Sequence, residues 1–561
     1  MMMSKLPMMH QPIILLKSGT EAASGTQLIL SNIRACNSVV ETVKTTLGPM
    51  GQDKLIQTAQ KTHITNDGAT IMELLCVVHP AAKILVDISQ SQDAEIGDGT
   101  TSVVVLAGEL LNEARQFIED GVHPRLIIAG YQKACAMALE RVQQLGIDLT
   151  KYSDDEMKTV VEKCAETSLN SKLLADHKQF FGCLIYRAVS RLSSAMGTET
   201  SSTLLNKSMV GVKKVAGGSV TDSFCVEGVA FAKCFSYAGF ENAPKSFTNP
   251  KILLLDLELE LKAEKENAEI RVDNASEYQK MIDTEWQMLL DRLQAMVDAG
   301  ANIVLSRQAI GDIATQYFAD RSVFCAGRVE EGDMKRLVKV TGGRLLTTVT
   351  QLDPKVLGTC GTFEERQIGK ERYNVFEQCP RGGASTIVLR GGANQFIDEA
   401  ERSLNDALMT CCRALQSQHA VGGGGAVEME VSAYIRQTAR AISGKQQLIF
   451  EAFGRAFEVI PRVLAQNSGL DAVDVVNKLR QLHNRKDDSG RWMGVDCLER
   501  SGDVVIDSVE TFVWEPMSIK LNSYAAATEA ACAVLSIDEM VKNPKSNAEP
   551  VGKVNRGPGR T

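Results

Sequence analysis

The chain has 561 residues, 44% of them hydrophobic, and its 61 basic and 69 acidic residues leave a net charge of −8. That length and apolar content support several buried cores, roughly three or four domains, and the acidic balance argues against a general nucleic-acid binder, whose affinity needs clustered positive charge. No run of about 18 apolar residues offers a membrane span and residues 1–20 lack the apolar core of a signal peptide, so a soluble cytoplasmic protein is expected.

The fourteen cysteines contain no Cys-x-x-Cys pair and read as reduced core residues, and the seven scattered histidines form no His-x-x-x-His ligand pair. A Gly-x-x-x-x-Gly-Lys-Ser/Thr motif is absent, so any ATP site would be built without a P-loop.

Near the N-terminus, the apolar run Pro12 to Leu16 predicts a short strand. From Gln27 to about Lys151 the periodicity is helical, broken by a polar hairpin around Gln60 to Thr65 and by three glycine turns. The first turn is Thr45-Thr46-Leu47-Gly48-Pro49-Met50-Gly51, the second Asn66-Asp67-Gly68-Ala69-Thr70, and the third Asp93 to Ser102, containing Gly97-Asp98-Gly99-Thr100-Thr101. A helix opening at that threonine pair, with the threonines able to cap it, presents amides that lack intrahelical partners, and glycines let an anion approach them. Asp98 would repel a phosphate unless a divalent cation bound both, and an oxygen ligand beside phosphate suits Mg²⁺. The competing reading is an ordinary capped turn.

Helices are expected around Asp155 to Ser168 and Asp176 to Leu192, then a polar segment, Ser194 to Ser202, and a strand at Lys213 ending in the hinge-like Gly217-Gly218. A compact α/β unit follows, with strands at Lys251 to Leu257, Ala301 to Ser306 and Ser322 to Cys325 alternating with helices at Gly311 to Arg321 and Glu331 to Val340. Glu258 to Ile270 is a charged excursion with sparse apolar residues, read from composition as a solvated helix or loop. After strand Ser385 to Leu389, the helix Gln395 to Leu415 carries an apolar stripe that Asp406 falls off, which permits a surface ion pair with Arg402 one turn earlier. Beyond the glycine run Gly422 to Gly425 come helices Val427 to Arg440 and Gln446 to Gln466, strands and turns from Trp492 to Pro516, and a last helix from Ser518 to Ile537. The polar loop His483 to Asp488 looks like an insertion, and Asn543 to Thr561 has the composition of a disordered tail.

In this order and spacing the three N-terminal glycine motifs resemble the nucleotide site of the group II chaperonins, and the resemblance extends over nearly the whole chain. The stretches Phe235 to Glu241 and Leu257 to Glu269 narrow it to one subunit type of the eukaryotic cytosolic chaperonin. It implies a mixed α and α/β fold in three domains. A helical equatorial domain would be formed by residues 1–151 and 407–542, an intermediate hinge domain by 152–220 and 374–406, and an α/β apical domain by 221–373. The apical domain would carry a lid protrusion near 258–270, and 543–561 would be the tail.

By the same resemblance, the chain is a subunit of an ATP-dependent ring that hydrolyses Mg·ATP to close a lid over unfolded clients such as actin and tubulin. Its partners are paralogous subunits in a double eight-membered ring. Asp98 corresponds to the Mg²⁺ ligand, Asp406 to the catalytic aspartate and Asp67 to a second carboxylate near the attacking water, with a helix cap as the alternative for Asp67. ATP or ADP would be held by Leu47, Gly48, Pro49, Gly99, Thr100, Thr101 and Ser102. Asn170 and Ser171 fall in the nucleotide-sensing loop, Gly424 lies against the ribose, and Glu515 and Lys520 meet the nucleoside. The family's usual proline before the glycine run is absent, with Gly422 in its place. Other functions remain open at this point: a small-molecule kinase or ligase, or a scaffold subunit with an inactive site.

Overall fold

A computed structural model describes residues 21–58, 61–171, 173–194, 207–232, 241, 243–260, 275–349, 352–485, 490–498 and 503–542. The strand expected at Pro12 to Leu16, residues 195–202, residues 235–240, residues 261–270 of the charged excursion and the tail from Asn543 lie outside them.

The largest core draws on both ends of the chain. Its centre is the helix Thr100–Glu119, buried along Val103, Val104, Val105, Leu106 and Ala107. Three successive valines are poor helix formers, yet burial on all sides outweighs that preference. Around it pack Thr26–Lys44, Pro80–Glu95 and, from the C-terminal part, Lys445–Phe457, Val459–Asn467 and Met517–Leu535. Pro124–Leu145 joins them, opened by a proline whose missing N–H costs nothing in the first turn. Tyr131, Phe453, Phe457 and Tyr524 form an aromatic chain between these elements, with successive ring centroids 5.3, 5.3 and 4.8 Å apart. Strands Glu21–Ser24 and Glu539–Lys542 pair antiparallel, so the two ends of the described chain are neighbours.

A second cluster joins helices Asp154–Leu169 and Lys178–Ser194 to the apolar stripe of the long helix Asn394–Ser417, from Ile397 to Cys412, and to strand Ser385–Gly391. That strand pairs parallel with Val210–Ala216, which ends at Gly217 and Gly218, both at positive φ. Residues 229–384 supply two further clusters. Here Lys251–Leu255, Ile303–Ser306, Phe324–Ala326 and Leu345–Leu346 form a parallel sheet, with Gly358–Thr359 added antiparallel. Beside it lies an antiparallel sheet of Gly228–Ala232, Glu371–Glu377, Thr362–Ile368 and Ser246–Thr248, whose Phe231, Phe363 and Phe376 fill the adjoining core.

Several expectations are corrected. The single helix Gln446 to Gln466 is two, Lys445–Phe457 and Val459–Asn467, parting at Glu458. Pro461 accounts for the break, because it has no N–H for the Phe457 carbonyl and its ring crowds that oxygen. His483 is no part of an inserted loop: it ends the helix Ala472–His483 and is buried, with ring nitrogens 3.1 Å from a Glu430 carboxylate oxygen and 2.9 Å from the Met493 carbonyl oxygen. Leu259 of the charged excursion is fully buried and bridges to Ile310, so it belongs to the core and not to an exposed protrusion. No helix of the described residues is long and apolar enough to cross a membrane.

The aromatic chain predicts an asymmetric outcome on one helix. Phe457→Ala should cost about 3–5 kcal/mol by leaving a cavity, whereas Leu448→Ala, at a site 56% exposed, should change stability by less than about 0.5 kcal/mol. Urea unfolding of the two variants beside the parent chain is the check.

Candidate nucleotide cleft

Two helices open at one cleft. Thr100–Glu119 is preceded by Gly99 at φ 76°, and Ala426–Ala439 by Gly425 at φ 83°. This left-handed geometry strains any residue bearing a Cβ. Neither glycine has a side chain to cap its helix, so the first-turn amides depend on backbone, solvent or a ligand. The expectation that the threonine pair caps its own helix is corrected: Thr100 is already the first helical residue, and its hydroxyl lies 3.4 Å from Asp67 Oδ1.

The cleft encloses about 1120 Å³, solvent at its mouth included. Leu47, Gly48, Pro49, Asp98, Gly99 and Ser102 line it from the N-terminal part of the chain, and Gly424, Glu515 and Lys520 from the C-terminal part. Asn170 and Ser171 come from the end of helix Asp154–Leu169. An adjoining cavity of about 360 Å³ shares Gly48, Asp98 and Gly99 and adds Asp67, Thr100 and Thr101. Apolar side chains, Ile460, Leu464, Val495, Ile506, Val513 and Ile519, also line the main cleft.

Close packing holds the glycine turns in place. A Cβ on Gly48 would stand 2.5 Å from Leu464 Cδ2, one on Gly68 2.5 Å from Thr101 Oγ1, and one on Gly423 2.5 Å from Glu515 Oε1. Gly422, standing where a proline was expected, ends a strand paired with Trp514, and a Cβ there would meet the Trp492 ring at 2.9 Å.

Asp98 faces both cavities. Its Oδ1 accepts the Gly99 N–H at 2.6 Å, its Oδ2 lies 3.3 Å from the Thr410 hydroxyl, and its carbonyl accepts from Gln92 Nε2 at 2.9 Å. Asp67 caps the helix Gly68–Leu74, accepting from the amides of Ala69 and Thr70 and from the Thr70 hydroxyl. Its carboxylate also borders the smaller cavity, so the cap and the site coincide in one residue. Asp406 lines neither cavity. It is 8% exposed on Asn394–Ser417, one turn before Thr410, whose hydroxyl also lies 3.0 Å from the Asp406 carbonyl oxygen. The alternative of a surface ion pair is corrected by that burial, and Arg402 donates to Glu399 at 2.5 Å.

Lys520 is buried between two carboxylates, 2.8 Å from Glu428 Oε1 and 2.8 Å from Glu515 Oε2. Tyr524 donates to the same Glu428 oxygen at 2.9 Å. Desolvation disfavours the Lys520 ammonium, but the two carboxylates outweigh it and raise its pKa. Burial lifts the Glu515 carboxyl above the ordinary range, against the pull of Lys520 and with Glu428 adding to the rise. Asn170 Oδ1 accepts from Lys178 Nζ at 2.6 Å, and Ser171 Oγ from this loop reaches the Ser168 carbonyl at 3.4 Å.

Sequence reasoning missed Thr410, Gln92 and Glu428. Thr410 follows Asp406 by four residues, a spacing that was available, whereas Glu428 lies 92 positions from Lys520 and no local pattern links them. Chemically, glycine turns, helix N-termini, an oxygen donor at Asp98 and apolar side chains on one cleft suit a ligand that carries both phosphate and an apolar group.

Comparison with known proteins agrees with that chemistry. A sequence model of the TCP-1/cpn60 chaperonin family matches residues 39–545. The chain is 53% identical to the T-complex protein 1 subunit eta of Tetrahymena pyriformis over 552 residues, covering 98% of this chain and 97% of the relative. It is 53% identical to the subunit of the same name from Arabidopsis thaliana, over 96% of this chain and 95% of the relative, and 49% identical to the human one, over 99% of each. The chain therefore belongs to the TCP-1/cpn60 chaperonin family.

Proposed function

We propose that the chain is an ATP-hydrolysing subunit of a cytosolic chaperonin ring, built with paralogous subunits and closing over unfolded clients such as actin and tubulin. The reading is carried by the convergence of two uncapped helix N-termini, the turns at Gly48 and Gly99, and Asp98 on one cleft that apolar side chains also line. The residues present fit Mg·ATP: Asp98 offers a carboxylate oxygen on the cleft, and the buried Ser168 hydroxyl on the cleft wall has no partner among the described residues.

Mg²⁺ bound at Asp98 would neutralise phosphate charge. Amides of Thr100, Thr101 and Ser102 would hold phosphate oxygens, with Gly99 allowing their close approach and the Leu47-Gly48-Pro49 turn assisting. Gly424 gives the ribose a close backbone approach, while Glu515, tethered by Lys520, meets the nucleoside end. Asp67 and Asp406 approach the terminal phosphate from the second cavity and from the long helix. Asp406 would take the proton from an attacking water, which requires Asn394–Ser417 to move toward the cleft. Such a movement matches a division into equatorial (1–151, 407–542), intermediate (152–220, 374–406) and apical (221–373) domains, with Gly217 and Gly218 at one hinge. A kinase or ligase would need an acceptor for turnover, whereas this reading requires hydrolysis of ATP alone.

Asp98→Ala should weaken nucleotide binding most at limiting Mg²⁺, measured by titration of a fluorescent ATP analogue. Unchanged affinity there would remove Asp98 from the metal site. Asp406→Ala should spare binding and slow hydrolysis by this chain roughly 10²- to 10⁴-fold in single-turnover measurements, the range for loss of a general base. Lys520→Met strands Glu428 and Glu515 without their cation. It should destabilise the chain by about 3–5 kcal/mol in denaturant titrations and weaken nucleotide binding as well.

A further inference from the structure

Away from the cleft, two adjoining cavities lie where the helices Pro124–Leu145, Ala426–Ala439 and Ala472–His483 meet the turn at Gly490. They enclose about 610 and 350 Å³, open solvent included, and both are lined by Gln437, His483 and Asn484. The larger is bordered by Arg141, Arg485 and Arg491 with Glu430, the smaller by Arg436, Arg440 and Arg480 with Glu458. Among the described residues, six arginines and two carboxylates line this corner, in a chain whose net charge is −8.

The two carboxylates lie beneath the arginines and fix their positions. Glu458, whose side chain is 1% exposed, holds Arg436 at 3.0 Å and both Nε and a terminal nitrogen of Arg480. Glu430 holds Arg141 at 2.5 Å, and the Arg141 guanidinium also sits 5.2 Å from the centroid of the Tyr434 ring. Arg141 Nε remains a buried donor with no partner. Arg440 and Arg485 stand at helix C-termini, where the dipole favours a cation, and neither has an ion-pair partner among the described residues. A Cβ on Gly490 would lie 2.3 Å from the Leu482 carbonyl oxygen, so glycine is required for the turn to close this near the helix end.

Guanidiniums held in a concave site focus a positive field, and their planar forks match phosphate oxygens in pairs. We infer that this corner is a second ligand site, distinct from the nucleotide cleft, for a compact polyanion bearing several phosphate groups. The ligand would be a small molecule, since the cavities close around the arginines in place of a long groove.

Inorganic tripolyphosphate is a direct probe, used on the assembled complex with the nucleotide clefts first saturated by Mg·ADP. Phenylglyoxal labels exposed arginines, and peptide mass spectrometry reads Arg440 and Arg485 separately from the remote, exposed Arg344. Tripolyphosphate should slow labelling of Arg440 and Arg485 at least roughly fivefold, while matched ionic strength from NaCl leaves them and Arg344 unchanged. An Arg440→Gln/Arg485→Gln chain, altered only at exposed positions, should assemble normally and bind the probe roughly tenfold more weakly. Equal slowing at Arg344, no slowing at all, undiminished binding by the double variant, or protection only by a poly-glutamate peptide would each overturn the proposal. Loss of Mg·ADP binding with arginine protection retained would instead count against the nucleotide cleft, so the two readings fail separately.

Discussion

Burial of the helix Thr100–Glu119 on almost every side is the constraint on which the rest of the structure depends. Residues Val103 to Ala107 are at most 1% exposed, so rotating or sliding the helix would expose apolar surface on one side and open a void on the other. Its N-terminus is consequently held, and with it Gly99 and Asp98. The Gln92 amide on the Asp98 carbonyl ties the preceding helix to the same turn, and Asn522 in turn donates to Gln92 at 2.8 Å, joining the C-terminal helix to this arrangement.

Against that fixed element stands the long helix Asn394–Ser417, whose stripe from Ile397 to Cys412 packs in a different cluster from the one that holds Thr100–Glu119. It reaches the cleft through Thr410, and its Arg413 donates to the Glu95 carbonyl. The link between them at this point is a hydroxyl 3.3 Å from a carboxylate, a modest interaction beside the apolar packing on either side.

What was legible in the sequence follows from what is local. The turns at Gly48, Gly68 and Gly99 announce themselves because the glycine, the acid and the helix start fall within a few residues. The apolar stripe of Asn394–Ser417 was equally plain. By contrast, Ala275–Asp298 escaped notice because its buried residues, Leu289, Leu293 and Met296, fall only in its second half. The hairpin Thr362–Ile368 with Glu371–Glu377 escaped because its alternation is interrupted by charged residues that pair across strands and with Glu241. Periodicity placed Asp406 off the apolar stripe but could not say that neighbouring elements cover that face too. Asp67 shows the converse: its cap on Gly68–Leu74 is local and legible, while its place on the smaller cavity comes from the fold.

Among the described residues, the charged side chains on the wall of the main cleft are Asp98, Asp496, Glu515 and Lys520, and their sum is −2. Lys520 is already engaged by Glu428 and Glu515, so among the described residues no free side-chain cation on that wall greets a polyanion. A site of this sign rejects uncompensated anions and admits one only as a neutralised complex, held by backbone dipoles that salt screens little. Occupancy would therefore track the free divalent cation concentration steeply and the ionic strength weakly, opposite to a site whose anion affinity comes from lysine and arginine.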